Sequence, residues 1–210
     1  MVRQCRHGRY ARASGAAFLF PFLLASLLAW GCGKAQPAAP PQEEVGEDGG
    51  GEAAPSGETV TLTLYFRYQT PDQEWLAPED RTVSGVTDPY RTAVEELIRG
   101  PAPGSPLHPV LPDTVKVLGV DVAGGVCTLN VSKEILTDAS LVGVGSTSEA
   151  LALSAIADTL TEFGEIDRVK LLIEGMQSGM VEGRFVEDFW GHTGLPEYLE
   201  RNEEILYGAP

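Results

Sequence analysis

The sequence has little with which to do covalent or metal chemistry. Its 210 residues hold three cysteines and three histidines. Cys5 and Cys32 bracket an N-terminal apolar stretch, which leaves Cys127 as the single thiol of the downstream chain and no partner for an intramolecular disulfide. Cys127 alternates with Thr128 in a strand-like run and reads as a small buried hydrophobe. Downstream of the leader the histidines are His108, among prolines, and His192, in Gly-His-Thr-Gly. No HxxH-type pair is present, so no metal site is expected. There is no Gly-x-Ser-x-Gly elbow, and no carboxylate pair stands out from the scattered acids. Gly143-Val144-Gly145-Ser146-Thr147 leads into a helix but lacks the lysine of a phosphate-binding loop. It reads as a flexible connection with a helix cap. Glu174-Gly175 reads as a strand-end turn. These absences point away from an enzyme and away from a bound cofactor.

Basic side chains are equally scarce. Lys and Arg total 15 against 30 Asp and Glu, a net charge of −15. Four of the basic residues, Arg3, Arg6, Arg9 and Arg12, fall within residues 1–31, where there is no acid. The remainder carries 11 basic and 30 acidic residues, a net charge of −19. Such a chain repels nucleic acid at long range, so no nucleic-acid partner is expected.

The N-terminus has the charge and length pattern of an export signal. Ala16–Trp30 is an uncharged apolar run of 15 residues behind the arginines. A spanning helix needs about 20 such residues, whereas 7–15 suit a signal core. The charge asymmetry places the N-terminus inside and the rest outside. The run ends in Leu28-Ala29-Trp30-Gly31-Cys32, which resembles the lipobox of bacterial lipoproteins. Gly31 and Cys32 fit that pattern; Ala29 and Trp30 depart from it. The reading is a signal peptide over 1–31 and lipidation of Cys32, anchoring the chain to the membrane. An ordinary cleaved signal and an uncleaved anchor are the alternatives. Residues 33–58 then hold four Pro, six Gly and six acids, with Val45 the only large apolar side chain. They cannot bury enough surface to offset their ordering entropy. Residues 32–58 therefore read as the lipidated cysteine and an acidic tether with a reach on the order of 30 Å.

From Thr59 the pattern changes. Thr59–Tyr68 alternates, with Val60, Leu62, Leu64 and Phe66 on one side, which predicts a half-buried strand. Trp75-Leu76 and Arg81–Val83 predict a short accessory hairpin around Pro78. Asp88–Gly100 carries a cap, Pro at the first helical position and a terminal glycine, with Tyr90, Ala93, Val94, Leu97 and Ile98 on one stripe. The five prolines of Pro101–Pro112 predict a loop. Thr114–Val122 and Val126–Ser132 flank a Gly124-Gly125 turn and predict a hairpin. Ser146–Phe163 predicts a second helix, with Ser146 and Glu149 as a capping box and Leu153, Ile156, Ala157 and Leu160 as its buried stripe. Arg168–Glu174 predicts a last core strand. The expected class is α+β: a two-layer β-α-β-β-α-β arrangement with both helices on one face of a mixed sheet. Trp75, Phe189, Trp190, Tyr198 and Tyr207 fall outside these elements and are candidates for a partner surface.

Several of these elements resemble the GerMN domain, a family tied to sporulation and spore germination. The resemblance rests on Leu62–Phe66, Glu79–Val83, the helix end Glu95-Glu96-Leu97-Ile98-Arg99-Gly100-Pro101, and Leu111-Pro112 with Val115–Val120. It extends through Leu129-Asn130-Val131-Ser132, Ala150–Phe163 and Val169–Gly175. It implies a single GerMN-like domain over 59–194, a C-terminal extension over 195–210, and a fold like the ring-building modules of secretion-type assemblies. It also implies a non-enzymatic, lipid-anchored, extracytoplasmic assembly module with protein partners in the envelope. The alternative is an extracytoplasmic lipoprotein that binds a ligand or peptidoglycan, with a concave site near Gly143–Ser146 or under Trp190.

Overall fold

The computed structural model describes residues 57–140 and 145–208. The signal peptide, Cys32, the tether up to residue 56, and Gly143 and Val144 lie outside the described residues. Among the described residues, no helix is long and apolar enough to cross a membrane.

The chain opens with β1 (Glu58–Gln69), followed by β2 (Glu74–Val86), paired antiparallel along nearly their whole length. β2 is one continuous strand rather than the short accessory hairpin expected around Pro78. The reason is geometric. Tyr65, opposite Pro78, turns its N–H away from β2 and donates it to Thr159 Oγ1 at 3.2 Å. The Tyr65–Pro78 pair needs no ladder bond, so the missing proline N–H costs nothing there.

Helix α1 (Pro89–Arg99) begins as the sequence predicts: Asp88 Oδ1 accepts the Arg91 N–H at 3.0 Å, and Gly100 ends it at φ 87°. β3 (Val117–Ala123) and β4 (Val126–Val131) form the expected hairpin, and β5 (Arg168–Ile173) pairs parallel to β4. A Cβ on Gly125 would press on the Asp167 carboxylate, and its φ of 79° strains side-chain-bearing residues, so that turn position favours glycine. Parallel neighbours require a crossover. Here it contains α2 (Glu134–Thr137), a short helix absent from the sequence reading, and α3 (Ser146–Thr161). The two-residue strands β6 (Met180–Val181) and β7 (Arg184–Phe185) make a small hairpin, and a 3₁₀ turn spans Glu203–Ile205.

The class is α+β with a mixed sheet, β3-β4-β5. The first strand is not part of that sheet; β1 and β2 form their own. The other edge of β1 is taken by the Thr159 hydroxyl and by a bridge in which Arg67 and His108 exchange backbone hydrogen bonds at 3.1 and 2.8 Å. At Tyr65 and Arg67 that edge is therefore closed to a strand of the larger sheet. Both α1 and α3 pack against β1, and they touch β3 and β5 respectively.

α3 is a central helix rather than the one-stripe surface helix that the periodicity predicts. Leu151–Leu153 and Ala155–Leu160 are all buried. The paired β1 and β2, α1 and β5 pack against it, the C-terminal segment crosses it, and Ala152, Ala155 and Ala157 are fully buried in these contacts. The common core includes Leu64, Phe66, Leu97, Leu129, Ile156 and Leu171. A helix covered on most sides must also bury whatever polar residues it carries. In α3 these are Glu149, Asp158 and Thr159.

Candidate functional site

Each buried polar side chain of α3 has found a specific partner. Glu149 is fully buried, and the capping box expected of it does not form. Gly145 precedes the helix with no side-chain cap, and the Glu149 carboxylate reaches instead across to the segment after Trp190. Oε2 accepts the His192 N–H at 2.8 Å; Oε1 accepts those of Thr193 and Gly194 at 3.1 and 2.9 Å. Three successive backbone donors converge on one carboxylate.

Nine residues further along, Asp158 makes a second attachment. Its Oδ1 accepts the Asn202 N–H at 2.9 Å, while Oδ2 is buried without a partner. Burial pushes this carboxyl up from 3.8 to about 6, against the opposing pull of the Asn202 N–H and the Arg201 charge. Beside it, Arg201 donates to Glu162 Oε1 at 2.7 Å and to the Tyr65 hydroxyl at 3.0 Å, and that hydroxyl donates to the same Glu162 oxygen at 2.5 Å. Burial, reinforced by Glu162, raises Tyr65 to about 12. The backbone of Leu199 exchanges hydrogen bonds with Val169 of β5, and Tyr207 N–H donates to Leu76 O of β2. Residues 192–207 thus run across α3 as a strap fastened at both ends.

Between the fastenings lies an open groove of about 470 Å³. Ala150, Leu153 and Ser154 of α3 form its floor; Glu187, Tyr198, Glu200 and Asn202 are among its walls. It offers hydroxyl, amide and carboxylate groups without a nucleophile–base pair.

The two aromatics most tempting as partner anchors are core residues. Phe189 and Trp190 are 2% and 5% exposed, and their rings stack 5.1 Å apart. Trp190 Nε1–H donates to Ile135 O at 2.7 Å. This ties the segment to α2. Trp190→Phe, which removes that donor and leaves a buried carbonyl unpaired, is expected to lower stability by about 1–3 kcal/mol in urea denaturation. Trp75 and Tyr198 are half-buried, Tyr198 beneath the Arg168 guanidinium at 4.1 Å. Tyr207 is 54% exposed. The exposed apolar pair that sequence reasoning missed is Met180 and Phe185. They face each other across the β6–β7 hairpin and are 58% and 49% exposed.

The remaining candidates are accounted for structurally. Cys127 is fully buried, its thiol pushed up to about 12 by burial, which leaves no thiolate at neutral pH. His108 and His192 contribute backbone bonds. Glu174 and Gly175 form the expected turn, both at positive φ, and Glu174 Oε1 accepts the Lys133 N–H. Among the described residues, no three His, Cys, Asp or Glu side chains group as a metal site.

Comparison with known proteins bears on this arrangement. The profile of the Germane family, described as sporulation and spore germination, matches residues 63–179. The tandem GerMN domains of the sporulation protein GerM from Bacillus subtilis superpose with a TM-score of 0.56 at 23% identity. That match covers 72% of this chain and 48% of the tandem structure, so the chain spans about half the length of that relative. The first GerMN domain of the same protein superposes with a TM-score of 0.50 at 23% identity, covering 68% of this chain and 98% of that domain. Among curated proteins no significant match is found.

Proposed function

The chain belongs to the Germane family of sporulation and spore germination domains, and on that premise we propose that it is a non-enzymatic, membrane-anchored envelope lipoprotein. Its domain is an assembly or scaffold module that docks protein partners outside the cytoplasm, in sporulation or germination. Lipid on Cys32 holds it at the membrane, and the acidic tether lets the domain reach away from it.

The observation that carries this reading is the use made of the buried ionisable groups. Glu96 binds Arg81 at 2.8 Å and also Arg99; Glu149 and Asp158 hold backbone N–H groups of the strap. Each carboxylate joins one part of the chain to another, and Cys127 is protonated in the core. A catalytic domain instead holds such groups convergent around a place for substrate. The exposed Met180–Phe185 pair supplies the apolar surface that a protein partner would cover. A second reading, a lipoprotein that binds a ligand or peptidoglycan, draws on the groove of about 470 Å³ over α3.

Capture from detergent-solubilised native membranes by the full chain distinguishes the two. The expected result is an envelope protein retained by the wild type and lost with Phe185→Asp, a change on an exposed side chain that leaves the core intact. Saturable binding to cell-wall fragments with no Phe185-dependent protein partner would reverse the order of the readings.

A further inference from the structure

The larger sheet has one covered edge and one open edge. On the β5 side, Leu199 exchanges backbone hydrogen bonds with Val169 at 2.9 and 2.7 Å. On the β3 side no strand follows among the described residues; the Arg91 guanidinium caps only its start, donating to Val117 O at 2.9 Å. The register shows which backbone groups are left over. Ala123 and Val126 flank the two-residue Gly124-Gly125 turn, so Ala123–Val126, Asp121–Thr128 and Gly119–Asn130 are the hydrogen-bonded pairs of this antiparallel ladder. The parity of β4 agrees: Gly125 O and Val131 O both accept bonds from the β5 side. Val120 and Val122 therefore direct their N–H and C=O groups outward from β3. Neither residue takes part in a hydrogen bond outside the ladder among the described residues.

The open edge also has a facing wall. Thr87–Tyr90, leading into α1, and Glu165 stand across from Val120–Val122 and enclose with them an open groove of about 690 Å³. Four residues of extended chain, at roughly 3.3 Å each, span about 13 Å. Tyr90 is fixed by its hydroxyl bond to Glu165 Oε1 at 2.5 Å and by an edge-on contact with Phe163. The groove's charged lining is of one sign: Asp88, Asp121 and Glu165, with no basic residue.

We propose that an extended, basic segment of a partner protein adds as a fourth strand to the free edge of β3, in the groove between Val120–Val122 and Thr87–Tyr90. Its main chain pairs with the outward N–H and C=O groups of Val120 and Val122. Its Lys or Arg side chains meet Asp121 at one wall and Asp88 and Glu165 at the other. Strand addition of this kind takes affinity from the main chain and selectivity from the side chains. Here the selectivity is electrostatic, and it disfavours a second copy of this acidic chain, which would place Asp121 beside Asp121. The inference deepens the docking role proposed above and rests on it.

Val122→Pro isolates the backbone contribution. It deletes an N–H that the β3–β4 ladder does not use, and proline is tolerated on an edge strand whose N–H faces outward. Asp121→Lys reverses an exposed charge, so it reads the electrostatic part even if the proline variant fails to fold. The probe is a synthetic peptide of alternating lysine and valine, with a glutamate–valine counterpart, titrated into the full chain and followed by amide NMR. The expected result is saturable binding of the lysine peptide, with slowed exchange at Val120 and Val122. Affinity should fall at least tenfold with Val122→Pro, and with Asp121→Lys the preference should shift toward the glutamate peptide. Three results would overturn the inference: equal binding of both peptides, binding unchanged in the two variants, or Val120 and Val122 amides already protected in proportion to protein concentration, which would place a second copy on the edge. Because the capture experiment depends on Phe185, failure here with success there would remove the strand-addition site and leave the docking role standing.

Discussion

Glu149→Ala is expected to cost about 3 kcal/mol of folding stability and to free the amides of residues 192–194 for exchange with solvent. Three backbone N–H groups end on this one carboxylate at 2.8–3.1 Å. Bonds to a charged acceptor contribute roughly 1.5–3 kcal/mol each. The full sum is not expected, because His192 and Thr193 are exposed and their freed N–H groups can turn to water. Desolvating the carboxylate in the native state also offsets part of the gain. Glu149→Gln is a milder change: one acceptor oxygen remains for Thr193 and Gly194, and the bond to His192 is lost, for about 1–2 kcal/mol. Chemical denaturation gives the stability, and hydrogen exchange gives the location. A helix-capping role makes a different forecast, a loss of about 1 kcal/mol with 192–194 still protected. That outcome would show that Glu149 does not hold residues 192–194 of the strap.

The second large effect is a pH dependence that runs opposite to ordinary acid unfolding. Asp158 titrates near 6 in the folded protein against 3.8 for a free side chain, chiefly because burial penalises its charge. The native state therefore holds this proton more tightly than the unfolded chain. Its contribution is fully favourable below about pH 4 and is lost as pH rises through 6. A gap of about two pKa units corresponds to about 3 kcal/mol. Asp158→Asn keeps an acceptor for the Asn202 N–H and cannot ionise. The stability difference between variant and wild type is expected to move by about 3 kcal/mol in the variant's favour from pH 4 to pH 7.5. Its amide nitrogen would sit where Oδ2 has no partner, and that cost shifts the difference equally at every pH. Comparing the two proteins removes the contribution of other carboxylates, such as Glu79, held low by Arg81. A difference that stays flat with pH would show that Asp158 is not buried as charge in the native state.

The features legible in the sequence are those with a local cause. The alternation of Thr59–Tyr68, the cap, proline and glycine around α1, and the Gly-Gly turn between β3 and β4 are written in neighbouring residues, and each forms where expected. The continuous β2 was hidden by Pro78, because edge tolerance depends on which way the opposite residue turns its N–H. The four residues of α2 are too few to carry a periodicity. Glu149 reads as a cap because Ser146-x-x-Glu149 is a good local cap signature, while its actual partners lie 43–45 residues away. A signal was nonetheless present. Glu149 and Asp158 bracket an otherwise apolar, alanine-rich run, and acids beside a helix destined for the interior must find donors. Phe189 and Trp190 looked like surface anchors because they lie outside any regular element. Burial of an irregular segment is set by what it crosses, here α2 and α3, which no local pattern reports.

On the proposed reading the domain acts through its surface and its position. The proposed account accordingly depends most on Cys32, whose lipid would place that surface at the membrane. Metabolic labelling with a palmitate analogue, comparing full-length wild type with Cys32→Ala, tests this directly. The account predicts label on the wild type, none on the variant, and loss of the variant from the membrane fraction. Equal labelling of the two, or a variant that stays with the membrane as firmly as the wild type, would contradict it.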